Sequence, residues 1–104
     1  MRRGELWTYK GLGRTRHVLV VSANELNNTG SPITCDVTDV APTGSRVLLS
    51  IPITLPNNGG TAYIRVVRGL SGQTDVDRFD SLIGRVPDEV MEQVGLALRA
   101  ALDL

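Results

Sequence analysis

The hydrophobic pattern of this chain changes period once, at Pro87, and that change most narrows what it can fold into. Before Pro87, apolar residues come in short alternating or continuous β-branched runs. After it they recur every three or four residues. In Glu5–Tyr9, Leu6 and Thr8 point one way while Trp7 and Tyr9 point the other, which predicts a strand. Gly11-Leu12-Gly13 then predicts a tight turn. His17 to Ser22 is a continuous run and predicts a strand covered on both faces. Residues 24 to 32 are polar and turn-rich, with one helical turn expected at Ala23–Leu26. Ile33 to Val40 sets Ile33, Cys35 and Val37 against Thr34, Asp36 and Thr38, a strand with one wet face. Val47 to Ile53 and Ala62 to Val67 read as two further strands, joined by the hairpin signal Asn57-Asn58-Gly59-Gly60. Residues 69 to 77 read as loop, and Phe79 to Val86 as a short strand.

Behind Pro87 the chain is built to start a helix. Proline suits the first helical position, and Asp88 and Glu89 complement the positive end of the helix dipole. Val90, Met91, Val94, Ala97, Leu98, Ala101 and Leu102 then form one apolar face. Gly95 costs roughly 1 kcal/mol inside a helix, so close packing is expected there. Strands in succession followed by one helix predict a mainly β, α+β fold rather than a doubly wound one: an antiparallel barrel-like sheet with a C-terminal helix. With 104 residues, no internal repeat and no linker, residues 1–104 are expected to form one domain.

Composition excludes several classes of function. The longest apolar run is too short to span a bilayer, and no apolar stretch follows the basic N-terminus, so neither a membrane anchor nor a signal peptide is expected. Cys35 is the only cysteine, which rules out an intrachain disulfide and fits a cytoplasmic protein. There is no CxxC, HExxH, P-loop or GxSxG. A lone histidine, His17, in an apolar strand reads as structural, and Asp36 and Asp39 as a strand end facing water, so neither a metal nor another cofactor is expected. Net charge is zero but unevenly placed. Arg2, Arg3, Lys10, Arg14 and Arg16 stand against Glu5 alone in the first 17 residues, while residues 75 to 104 hold seven acids against three arginines. Ten of the eleven cations are arginine, the side chain that grips phosphate bidentately, so a local phosphate site is a reasonable expectation.

Several segments, in order, resemble one known family. Arg3-Gly4-Glu5-Leu6-Trp7 is similar to the opening strand of the MazF/PemK/Kid toxins, and Arg16-His17-Val18-Leu19-Val20-Val21-Ser22 to that family's second strand. Asn24-Glu25 and Asn27 resemble its polar turn, Val37-Thr38 the end of its next strand, Val66-Val67-Arg68 a V-V-R of the Kid branch, and Gly84-Arg85-Val86-Pro87 its entry to the terminal helix. The resemblance implies an SH3-like antiparallel β-barrel that works as a homodimer. It implies the toxin of a type II toxin–antitoxin pair, a metal-independent endoribonuclease in which a ribose 2′-hydroxyl of single-stranded RNA attacks the adjacent phosphate. Carried over, Arg16 supplies electrostatic stabilisation and proton transfer, and Thr38 donates to the scissile phosphate. Arg14, Arg68 and Asn24 are the implied RNA contacts, and a cognate antitoxin is the implied protein partner. The departures are His17 in place of a proline, Asp39 in place of a hydroxyl residue, loss of the acid after V-V-R, and a short first loop over Lys10–Arg14. They keep two other readings open: a catalytically inactive SH3-like binding module, and a non-enzymatic gyrase-binding toxin resembling CcdB. The latter group usually ends in a tryptophan-containing tail, whereas Trp7 is the only tryptophan here.

Overall fold

The computed structural model describes residues 1–103 except 45, 46, 48, 49, 74 and 75, with residues 67–69 described in their backbone only. Among the described residues, six strands and two α-helices follow in order: β1 (Glu5–Lys10), β2 (Thr15–Val20), α1 (Asn24–Asn27), β3 (Ile33–Thr38), β4 (Ser50–Thr54), β5 (Thr61–Gly72), β6 (Phe79–Arg85) and α2 (Asp88–Leu102). The strands make one antiparallel sheet in the order β4-β5-β3-β2-β1-β6.

The alternation read from the sequence sets the two faces. Leu6, Leu19, Cys35, Val37, Ile51, Ile53, Ala62 and Ile64 point to one side, where α2 covers them with Met91 and Val94. This is the main core, and α2 lies against β4 and β5. On the opposite face Tyr9, Val18 and Phe79 make a smaller apolar cluster, with Met1 and Trp7 beside it. The Phe79 ring meets Tyr9 edge-on at 5.2 Å and Trp7 at 6.1 Å, the geometry aromatic quadrupoles favour.

The sheet curls but does not close, which corrects the expected barrel. β4 and β6 stand at the two edges, and no ladder joins them among the described residues. The proline content of the β4 segment gives a physical reason. Pro52 within it and Pro56 just after it have no N–H to donate, and proline is tolerated mainly on such edges. Packing brings the two edges together instead: a Cβ on Gly84 of β6 would lie 2.8 Å from the Pro56 Cβ.

Three further expectations change. Residues 69 to 77 are not simply loop, because β5 runs on to Gly72 and a short 3-10 helix spans Val76–Arg78. The extension was hidden by a register shift: Asp36 faces Arg65 while its neighbour Cys35 faces Leu70. Thr34, expected on a wet face, is fully buried, and the buried Gln73 donates to its hydroxyl at 3.0 Å. The strand expected over Val47 to Ile53 is seen as Ser50–Thr54; Val47 lies outside it and is exposed, and residues 48 and 49 lie outside the described set. Among the described residues, no helix is long and apolar enough to cross a membrane.

Candidate active site

Where β2 begins and β3 ends, the two strands part, because their ladder stops at His17 opposite Val37. The β4–β5 hairpin stands beside this opening. Its turn is closed by Leu55 N–H donating to the Gly60 carbonyl at 2.8 Å and by the Asn58 side chain accepting from Gly60 N–H at 2.8 Å. The result is a cavity of about 490 Å³ whose walls come from Arg14, Arg16, His17, Asp36, Thr38, Asp39, Arg65 and the hairpin.

Arg16 is the most constrained of these side chains. Its Cζ sits 5.3 Å from the centre of the Tyr9 ring, and Tyr9 is its cross-strand partner on β1. One Nη lies 3.6 Å from an Asp36 carboxylate oxygen, an ion-pair contact at half-exposed positions. The Nε is buried and makes no hydrogen bond. Gly11 lies beside it: its N–H donates to the Arg14 carbonyl at 2.9 Å to close the turn, and a Cβ there would crowd that carbonyl oxygen at 3.2 Å.

Thr38 ends β3 and lines the same cavity. Its Oγ1 accepts from the Val40 N–H at 3.2 Å, which leaves the hydroxyl proton available to donate. β2 and β3 therefore bring Arg16 and Thr38, 22 positions apart, into one cavity together with Arg14. Asn24 is not brought there. It starts α1, and its amide oxygen accepts from the Arg3 N–H at 2.8 Å. Arg68 belongs to β5, but its side chain lies outside the described residues.

Three residues gain a place at the cavity that the sequence did not suggest. Arg65 stands on β5 directly across from Asp36, and among the described residues no carboxylate lies within ion-pair distance of it. Alternation along β5 would have placed Arg65 on the polar face, but nothing local marked which strand it would meet. Asp36 is not a strand end facing water; it lies inside β3, half-buried and paired with Arg16. His17, read as structural, lines the cavity, with no hydrogen bond to its ring among the described residues. No group of three or more His, Cys, Asp or Glu among the described residues is placed to hold a metal ion.

A family model described as PemK-like, MazF-like toxin of type II toxin–antitoxin system matches residues 2–102. The chain belongs to that family. Solved structures of PemK/MazF-like fold agree with it. An endoribonuclease in complex with its cognate antitoxin from a mycobacterial species superposes with a TM-score of 0.83 at 21% identity, covering 100% of this chain and 96% of that one. A MazE–MazF structure from Deinococcus radiodurans gives 0.75 at 23%, covering 98% and 94%. The Mycobacterium tuberculosis toxin MazF-mt6 gives 0.78 at 12%, covering 96% and 97%. No curated protein matches by sequence. Identities this low speak for the fold alone, so the chemistry of this PemK/MazF-like chain has to be argued from its own cavity.

Proposed function

We propose that this chain is the endoribonuclease toxin of a type II toxin–antitoxin pair, acting in the cytoplasm on single-stranded RNA without a metal ion. The observation that carries this reading is the convergence of Arg16 and Thr38 on one cavity with Arg14 and Arg65. In the reaction, the ribose 2′-hydroxyl attacks the adjacent phosphorus and forms the O2′–P bond. The 2′-hydroxyl gives up its proton as it attacks, the bond to the 5′-oxygen breaks, and that oxygen takes up a proton from solvent, leaving a 2′,3′-cyclic phosphate and a 5′-hydroxyl. Negative charge builds on the phosphorane oxygens, and fixed donors aimed at that charge lower the barrier. A guanidinium seldom gives up its proton, so the main role of Arg16 is charge stabilisation, with Thr38 donating to a phosphate oxygen. Arg14 and Arg65 hold flanking phosphates, and unpaired bases splay out along the groove.

The structural relatives named above include an endoribonuclease with its cognate antitoxin and a MazE–MazF complex. By extension, the partners of this chain are a second copy of itself, related by a two-fold axis, and an antitoxin that covers the arginine-lined cavity. The deciding experiment incubates the purified chain with total RNA in EDTA and maps the new 5′ ends. Cleavage with 5′-hydroxyl ends, lost in Arg16→Ala, is the expected outcome. Strict dependence on added Mg²⁺, 5′-phosphate products, or wild-type cleavage by Arg16→Ala each rejects the mechanism.

A further inference from the structure

The cavity contains an anion of its own, placed against the cation assigned to the phosphate. Asp36 follows Cys35 on β3, stands across from Val18 on β2 and Arg65 on β5, and is diagonal to Arg16. Arg16 leans back along the sheet to bring a guanidinium nitrogen 3.6 Å from the carboxylate. Its Cζ lies over the ring of the buried Tyr9, 5.3 Å from the ring centre, and that ring is itself met edge-on by Phe79. The guanidinium is thus bounded by a ring from β1 and a carboxylate from β3. The contact with Asp36 is longer than a hydrogen bond, so it leaves N–H groups of Arg16 available to a second anion.

We propose that Asp36 is a positioning residue for Arg16: its carboxylate holds the guanidinium against the Tyr9 ring and opposes tight binding of the unreacted RNA phosphate, so that the free N–H groups act chiefly on the charge that develops during cleavage. This inference rests on the endoribonuclease reading. The physical argument is differential binding. Only interactions stronger in the transition state than in the ground state speed the chemical step, and a cation left loose in the cavity would grip substrate phosphate indiscriminately. A carboxylate beside the cation raises the cost of bringing in a singly charged phosphodiester. The same carboxylate repels the more highly charged phosphorane, so its benefit lies in fixing the guanidinium, which meets the developing charge without having to reorganise.

The consequence is a split in the kinetics that a merely structural aspartate would not give. Asp36→Ala lowers kcat by about tenfold or more while KM falls, because Arg16 is released to bind the ground state. Asp36→Asn keeps a polar side chain of the same size but not the charge that holds Arg16 at 3.6 Å, so its kcat falls by less than that of Asp36→Ala while KM falls. A second measurement needs no turnover: in ¹⁵N relaxation, the Arg16 Nε–Hε group should be rigid in the wild type and mobile in Asp36→Ala. Binding of a 2′-O-methyl RNA oligonucleotide, which lacks the nucleophile, should tighten in both variants. The proposal is overturned if kcat and KM of both variants stay within about twofold of wild type. It is also overturned if KM rises, or if Arg16 Nε–Hε is equally rigid without Asp36. If the wild type cleaves no RNA, the nuclease reading fails on its own. The relaxation and binding measurements then still decide whether Asp36 governs Arg16, and an unchanged result in either overturns that too.

Discussion

At the scale of single residues, the candidate site was legible where side-chain type and strand position coincided. Arg16 at a strand start and Thr38 at a strand end stood out by resemblance, and the structure puts both on one cavity. Asp36, Arg65 and His17 were not legible, because which strands lie side by side is a long-range property that local alternation does not carry. The Thr38 assignment makes a definite demand. Its hydroxyl accepts from Val40 N–H and keeps its own proton free to donate. Thr38→Ala should therefore slow cleavage by about 10²-fold, the scale of one lost transition-state donor, while Thr38→Ser retains most activity. Single-turnover rates on one RNA oligonucleotide check this. Cys35 makes a different prediction. Burial, helped by the neighbouring Asp36 charge, raises its thiol from 9.0 to about 12. Between those values the unfolded chain has lost a proton that the folded chain keeps, so stability falls as pH rises through that window. The fall is at most about 1.4 kcal/mol per pH unit. Urea midpoints measured upward from about pH 8 should decline more steeply for wild type than for Cys35→Ala, in which that titration is absent.

At the scale of elements, most of the fold could be read, and the misses share a cause. β1, β2 and α2 follow their hydrophobic periods closely, because each is defined by burial of one face or both. The end of β5 escaped because Leu70–Gly72 pairs with β3 only after the four-residue register shift, and nothing in Leu70-Ser71-Gly72 alternates strongly. Openness of the sheet escaped because closure depends on how two distant edges meet. That meeting can be tested at Gly84. A Cβ there would stand 2.8 Å from Pro56 Cβ and 3.0 Å from Pro56 Cγ, closer than side-chain atoms pack, and the ring of Pro56 is stiff. Gly84→Ala should therefore destabilise the chain by about 1–3 kcal/mol, read as a lower urea midpoint. Pro56→Ala does not remove the Cβ that makes the 2.8 Å contact, so it should rescue little, whereas Pro56→Gly should rescue the steric part of the loss alone, because Gly84 sits at φ 158°, where any side chain is strained.

At the scale of the whole molecule, the charge asymmetry of the sequence becomes a question of what the cavity admits. Arg14, Arg16 and Arg65 line it against Asp36 and Asp39, and one of those two carboxylates is already engaged by Arg16. A surface of this kind accepts phosphates and also accepts a carboxylate-rich peptide, since both offer oxygens to guanidinium N–H groups. An antitoxin segment that is disordered when free must recover its ordering entropy, so apolar anchors have to accompany its charges. RNA and antitoxin should then exclude each other on this PemK/MazF-like fold. Arg16→Ala and Arg65→Ala should each weaken antitoxin binding, and added salt should weaken it further in the wild type. Competition measures this directly: an acidic antitoxin peptide is titrated against a bound, fluorescent 2′-O-methyl RNA while anisotropy is followed. Release of the RNA in proportion to peptide bound is the expected result. Simultaneous binding without release would mean that inhibition acts from another face, and that the arginines of this cavity serve RNA alone.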